Sequence, residues 1–312
     1  MEEQKHQTTE ENHNIKQKHQ YMPDKNWYDR WYKRLLIIPI VFFIISIGYI
    51  AYFYTVHGDI ILKDASLAGG TTITLTEKVN VEELENALKT EFPDVYVRKI
   101  TDVRTGQLIA VIIDSAAEQQ KLKSGIESFL EHPLTQDNAT IEFTGPTLSS
   151  NFYRQLLIAL VFSFVLISIV IFTLFRTAIP SLAVIFAVLA DIVMPLALID
   201  FLEIKVSAAG IAAFLMLIGY SVDTDILLTT RVLKKREGTV NQRIYGAFKT
   251  GMFMTITALI AVLPAFFIVT GLPDSFRQIF FILTLGLCAD IMNTWLTNAS
   301  LIKWYADVKK IG

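Results

Sequence analysis

The sequence predicts an α-helical membrane protein with six transmembrane helices and one small α+β domain between the first two. Of its 312 residues, 52% are hydrophobic and 19% charged, and the mean hydropathy is +0.43. This composition is too apolar for an ordinary soluble domain. Six stretches also reach the roughly 20 apolar residues that cross about 30 Å of hydrocarbon.

The six predicted spans are 35–56, 156–175, 178–201, 206–228, 251–269 and 279–301. No small-residue cleavage site follows the first, so we expect it to remain as an anchor. Residues 1–26 contain almost no apolar side chains and are predicted to be a disordered cytoplasmic tail. The remaining boundaries are 27–56 for the first transmembrane helix, 57–150 for an extracytoplasmic domain and 151–312 for the other five helices.

Basic residues are concentrated in alternate loops. They precede the first span and follow the second, fourth and sixth, whereas the other short loops carry chiefly Lys205 and Arg277. Because cytoplasmic loops are enriched in Lys and Arg, both termini are predicted to be cytoplasmic and the protein to lie in the cell membrane.

The polar segment between the first two spans alternates between strand and helix patterns. Thr-rich or alternating runs at 69–75, 95–103, 108–113 and 139–143 predict strands, and apolar residues at helical spacing predict helices at 81–88 and 116–130. This β-α-β-β-α-β order is typical of a ferredoxin-like domain.

Four acidic residues lie inside the predicted spans and away from their ends: Asp191 in the third, Asp223 and Asp225 in the fourth, and Asp290 in the sixth. An ionised Asp at the bilayer centre costs about 2.5 to 3.5 kcal/mol, so these residues predict a proton relay or coupling site. The alternative is that protonated carboxyls hydrogen-bond between helices. Asp223 and Asp225 point about 200° apart around a helix, so one can face the bundle while the other faces a second polypeptide or a basic side chain.

The fourth span is also rich in small residues, among them Ala209, Ala213, Gly219 and Ser221. Small side chains allow helices to approach closely. We therefore expect this span to pack at the centre of the bundle.

Several function classes are not favoured. The net charge is −2 and the basic residues are accounted for by topology, so no nucleic-acid partner is predicted. Cys288 is the single cysteine, which excludes an intramolecular disulfide and a cysteine metal site. No nucleophile–base pair or metal cluster is recognisable, so we expect neither an enzyme nor a cofactor or metal.

Four segments together resemble the SecF branch of the SecD/SecF family, within the resistance-nodulation-division superfamily. They are the run from Ile218 to Asp225, the strand start Gly69-Gly70-Thr71, the pair Gly145-Pro146 before the second span, and 286–299 with Asn293 and Asn298. The last segment is similar to the archaeal branch.

This resemblance implies a subunit that pairs with a SecD-like membrane protein beside the SecY channel complex and assists a translocating unfolded polypeptide across the lipid bilayer, using the proton gradient. Asp223 matches the acidic position typical of SecD and is the favoured coupling residue, with Asp225 as a rival. Two alternatives remain: half of a proton-driven small-molecule transporter, and a structural scaffold of the translocon.

Overall fold

Six long apolar helices dominate the computed structural model, which describes residues 27–102, 105–235, 238–268 and 274–311. The predicted tail 1–26 lies outside the described residues. The helices long and apolar enough to cross a membrane occupy Trp27–His57, Leu148–Phe175, Ala178–Phe201, Ala208–Lys234, Val240–Phe267 and Phe276–Val308. The predicted multi-pass helical fold is therefore confirmed.

Most of the membrane helices extend beyond the predicted apolar stretches. The first span combines Trp27–Leu35 and Ile37–His57, and the others are Pro146–Phe175, Ala178–Phe201, Ala208–Lys234, Val240–Ile268 and a sixth built from Asp274–Met292, a π-helix Asn293–Asn298 and Ala299–Val308. The predicted starts of the second and fifth spans were too late, because helical hydrogen bonding continues through the polar residues that leave the hydrocarbon. Only the third span has the predicted bounds.

The third, fourth and sixth spans form the centre of the bundle. Within the most apolar 18 residues of each of these helices, 56%, 56% and 44% are buried inside the chain. The corresponding values are 11%, 6% and 11% for the first, second and fifth spans. The outer helices therefore present apolar side chains outwards, as lipid-facing helices do. The prediction that the fourth span is central is confirmed.

The domain between the first two spans contains one antiparallel sheet of four strands in the order β2-β3-β1-β4. The strands are β1 (Gly70–Leu75), β2 (Tyr96–Thr101), β3 (Leu108–Ser115) and β4 (Ala139–Thr144), and the helices are α1 (Ala65–Ala68), α2 (Val81–Glu91) and α3 (Gln119–Leu130). The small antiparallel sheet was predicted, whereas the short α1 was not. We call this unit the sheet domain.

One face of the sheet carries the core of the sheet domain. Ile73 and Ile113 pack against Leu84 and Leu88 of α2 and Leu122 of α3, and all five are buried. Alternate residues along a strand point to opposite faces, so the side chains between these core residues lie on the other face, towards the membrane bundle. There, Arg98 and Ile112 help to line a crevice of about 190 Å³ against Ile204, Gln278 and Phe281.

Gly69-Gly70-Thr71 marks the entry into β1. Gly69 and Gly70 have φ values of 87° and 137°, a region that favours glycine, and a Cβ on Gly70 would lie 2.2 Å from the Ser115 carbonyl oxygen. The Thr71 hydroxyl then donates to the Ala117 carbonyl at 2.7 Å. At the other end of the domain, Gly145 is the N-cap of the second span, with proline in its first turn. Both motifs are therefore structural connections.

Candidate functional site

Three membrane-embedded carboxyls meet at the centre of the bundle. Asp191 of the third span, Asp225 of the fourth and Asp290 of the sixth are 1%, 0% and 1% exposed. Each belongs to one of the three central helices, and each is hydrogen-bonded to a residue of a neighbouring helix. We call these three residues the carboxyl cluster.

Asp191 is held by side chains from two other spans. The Ser221 hydroxyl of the fourth span donates to its Oδ2 at 2.5 Å, and the Asn293 amide of the sixth donates to its Oδ1 at 2.6 Å. Asp191 thereby links the three central helices through one carboxyl.

Asp290 is surrounded by hydroxyl groups. Thr224 of the fourth span donates to its Oδ1 at 3.1 Å, Thr294 one turn along donates at 3.0 Å, and Thr255 of the fifth span donates to Oδ2 at 3.4 Å. A hydroxyl can also turn and accept a hydrogen bond, so these partners suit either protonation state of the carboxyl.

Only one oxygen of the Asp225 carboxyl accepts a hydrogen bond from the described residues. Asn298 donates to its Oδ1 at 2.8 Å, whereas Asp225 Oδ2 and Asn298 Oδ1 have no hydrogen-bond partner among the described residues. A buried acceptor without a donor is costly. A proton on Asp225 would turn its unpartnered acceptor into a donor.

A π-helix presents the two asparagines to the cluster. The six residues Asn293–Asn298 interrupt the α-helical sixth span, and Asn293 and Asn298 are both fully buried. Such single-turn π segments are rare and are found mostly at functional sites. Here the wider turn brings Asn293 to Asp191 and Asn298 to Asp225.

The cluster lacks a compensating cation in the part of the chain that the structure describes, since no Lys or Arg forms an ion pair with any of its carboxyls. Nor do the described residues contain three or more His, Cys, Asp or Glu placed to share a metal ion. Three buried negative charges without a counter-ion repel one another and lose hydration. Protonation of one or more of these carboxyls would relieve this cost.

Asp223 lies outside the cluster, on the opposite, exposed face of the fourth span. It borders a surface groove of about 450 Å³ between the fourth and fifth spans, near Arg231, Lys235 and Met254. The predicted divergence of Asp223 and Asp225 is therefore observed, and Asp225 is the member that joins Asp191 and Asp290.

The four predicted packing residues of the fourth span have different surroundings. Ala213 and Ser221 are buried and Ala209 is half-buried, but Gly219 is exposed and a Cβ there would meet nothing within 4 Å. Close helix contact occurs instead at Gly286 of the sixth span, where a Cβ would lie 2.2 Å from the Leu217 side chain.

The threonines of the cluster were missed in the sequence. Thr224, Thr255 and Thr294 all donate to Asp290, but isolated threonines are common in membrane helices and only their partners distinguish them. A usable signal was the repetition of Ser, Thr and Asn beside the acids in the fourth and sixth spans.

Comparison with known proteins gives a consistent result. The family described as Protein export membrane protein SecD/SecF, C-terminal, matches residues 127–308. The Protein-export membrane protein SecF of Methanolacinia petrolearia is 38% identical over 284 residues, covering 90% of this chain and 95% of that protein. Its counterpart from Methanocaldococcus jannaschii is 38% identical over 280 residues, covering 88% and 95%.

The fold is also similar to a solved structure. The crystal structure of SecDF, a translocon-associated membrane protein from Thermus thermophilus, aligns with a TM-score of 0.71 at 18% identity, covering 92% of this chain and 40% of that longer one. At this identity the likeness concerns the fold alone. The sequence matches, which extend over nearly the whole chain, show that it belongs to the archaeal branch of the SecF family of protein-export membrane proteins.

Proposed function

We propose that this chain is the SecF-type subunit of a SecD–SecF complex that assists protein export, and that the carboxyl cluster couples this work to the proton gradient. The coupling proposal rests on the burial of Asp191, Asp225 and Asp290 in the central helices, where no described Lys or Arg forms an ion pair with any of them. Intramembrane carboxyls that face a bundle interior are typical of proton relays.

The hydrogen bonds of the cluster suggest how a proton would act. Ser221 and Asn298 bind Asp191 and Asp225 across helix interfaces. When one of these carboxyls gains or loses a proton, the direction of its hydrogen bonds changes. The preferred packing of the fourth span against the third and sixth spans changes as a result. One charge that crosses 100 mV supplies about 2.3 kcal/mol, which is comparable with the cost of rearranging a few hydrogen bonds.

The sheet domain is the element that we expect to move. Its last strand, β4, leads through Gly145 directly into the second span. We propose that it is a ferredoxin-like domain, comprising residues 57–150, on the outer side of the membrane. The positive-inside rule then puts both termini and the tail 1–26 in the cytoplasm, with 27–56 and 151–312 forming the membrane bundle.

The exposed face of the fourth span is the proposed contact with the SecD-like subunit. Gly219 and Asp223 lie there one turn apart, and Tyr220 beside them is 51% exposed. Glycine allows close approach of a second helix, and a carboxyl inside hydrocarbon gains from a polar partner. The SecY channel and an unfolded polypeptide are the further partners proposed for the complex.

The coupling proposal is tested by exchanging single carboxyls for amides. Asp191→Asn, Asp225→Asn and Asp290→Asn preserve shape but cannot release a proton, so each should abolish the gradient-dependent part of export into membrane vesicles while the complex remains assembled. Asp223→Asn is the matched control from the same helix and should retain gradient-dependent export.

Two results would redirect the interpretation. Unchanged export in all three cluster variants would favour a structural scaffold. Loss of gradient dependence in Asp223→Asn alone, with the complex intact, would move the coupling site to the outer face of the fourth span.

A further inference from the structure

A compact joint connects the sheet domain to the start of the fourth span. The chain just after the first span pairs with the loop between the third and fourth: Val206 N donates to the Leu62 carbonyl at 2.6 Å, and Asp64 N donates to the Val206 carbonyl at 3.1 Å. The pairing comes immediately before α1, the short helix that leads into β1. This pairing therefore ties the beginning of the sheet domain to the start of the fourth span.

The Asp64 carboxyl lies at the centre of the joint and is only 8% exposed. Its Oδ1 accepts from Ser66 N at 2.9 Å, from Leu67 N at 3.3 Å and from the Ser66 hydroxyl at 2.6 Å, so it is the N-cap of α1. The Ser66 hydroxyl in turn accepts from Ala208 N, the first residue of the fourth-span helix, at 3.0 Å. One hydroxyl thus bridges the Asp64 carboxyl and the helix that bears Ser221 and Asp225.

The charged groups near Asp64 come from the sheet and from the loop before the fourth span. Asp114 of β3 is paired with Arg98 at 3.1 Å, and Lys205 precedes the fourth span and lies 4.5 Å from the centre of the Tyr96 ring. Burial, together with the nearby charge of Asp114, raises the pKa of Asp64 to about 7, although the hydrogen bonds from Ser66 and Leu67 act to lower it. Burial also lowers the pKa of Lys205, whereas the nearby charge of Asp64 raises it.

We propose that Asp64 and Ser66 form a proton-sensitive joint that holds the sheet domain against the fourth span when Asp64 is protonated and loosens when Asp64 is ionised. The joint is separate from the carboxyl cluster, and it would respond to the pH at the sheet domain irrespective of whether the cluster carries protons. This inference goes beyond the proposed coupling site, and its test does not depend on export.

The direction of the pH effect follows from the difference in the pKa of Asp64 between the closed and the opened joint. A hydrated Asp has a pKa near 3.9, whereas the pKa of Asp64 in the closed joint is about 7. The closed joint therefore binds the proton more strongly than an opened, hydrated one. The equilibrium constant for closing the joint is largest below about pH 4. It falls by up to about tenfold per pH unit as the pH rises towards 7, and it changes little above that pH.

The test measures the distance between the sheet domain and the bundle in the full chain in lipid nanodiscs. Spin labels are attached to Lys121→Cys on α3 and Leu198→Cys on the third span, both exposed positions, in a Cys288→Ser background. Electron–electron resonance is recorded from pH 5 to pH 8. We expect one narrow distance at pH 5 and a second population that grows until about pH 7.

Two variants separate titration from simple loosening. Asp64→Asn retains a capping acceptor but is always neutral, so it should keep the pH 5 distance at every pH. Ser66→Ala removes the bridging hydroxyl and should show more of the open population than the parent protein at pH 5.

Asp59→Asn is the control at a neighbouring carboxyl. Although burial acts to raise the pKa of Asp59, hydrogen bonds from Lys63 and Tyr153 hold it below its usual value, so Asp59 does not titrate in this range. This variant should keep the pH transition. A pH-independent distance in the parent protein, or a transition that persists in Asp64→Asn, would overturn the proposal.

Discussion

The fourth span carries an aspartate on its inner face and another on its outer face, and the surroundings of the two carboxyls differ. On the inner face, Asp225 is fully buried and bonded to Asn298, with Ser221 and Thr224 beside it serving the other two carboxyls. On the outer face, Asp223 is exposed, and its carboxyl makes no hydrogen bond or ion pair within the described residues. Two carboxyls two residues apart thus have unrelated surroundings.

The comparison shows that the energetic cost of an intramembrane acid does not by itself define a function. The inner acid is stabilised by contacts within the chain, which suits a group that must change protonation while buried. The outer acid has no polar partner among the described residues, which suits an interface. Matched substitutions on the two faces should therefore have different effects.

The largest difference is expected at two glycines. Gly286→Ala places a methyl group 2.2 Å from the Leu217 side chain between the fourth and sixth spans, so we expect overpacking to lower the free energy of unfolding by about 1 to 3 kcal/mol. Gly219→Ala, on the outer face, meets nothing within 4 Å and should leave the isolated chain as stable as before. Unfolding titrations in detergent micelles measure both.

Equal stability of the two glycine variants would show that the sixth span yields to the added methyl group. Gly219→Ala has a second expected effect, because it adds bulk to the proposed contact surface. It should weaken retention of the SecD-like subunit during purification, and Gly286→Ala should do so only as far as it unfolds the chain.

A smaller difference is expected at two threonines of the same span. Thr224→Val preserves shape but removes the hydroxyl that donates to Asp290, so it should lower the free energy of unfolding by about 0.5 to 1.5 kcal/mol. Thr230→Val, beside the outer groove, should have no comparable effect. If both variants unfold alike in the same titration, Thr255 and Thr294 are sufficient for Asp290.

The sequence predicts the elements of this fold better than their contacts. The third span has its predicted bounds because a long apolar run ends at polar residues on both sides. The strands of the sheet domain were recognisable from alternation. A helical period shows that Asp223 and Asp225 diverge, but it does not show which of them points inwards, because that depends on how the neighbouring helices are rotated.

The π-helix explains why the sequence does not show which carboxyl each asparagine contacts. In a regular α-helix the positions of Asn293 and Asn298 relative to Asp290 would follow from 3.6 residues per turn. The wider turn changes these positions and brings the asparagines to two different carboxyls. The residues of this segment give no local signal of that change, because the π-helix is stabilised by contacts with other helices.

The smallest expected effect concerns Asp223 itself. Hydrogen bonds between membrane helices contribute about 0.6 kcal/mol on average, so Asp223→Leu should weaken binding of the SecD-like subunit by about threefold. Competitive reconstitution of labelled subunits in nanodiscs can resolve such a ratio. Asp223→Asn provides the control: normal binding would mean that a hydrogen bond is sufficient, whereas binding as weak as in Asp223→Leu would mean that a negative charge is needed. If Asp223→Leu binds as tightly as the parent protein, the outer acid is not an interface residue, and the contrast between the two faces would need another explanation.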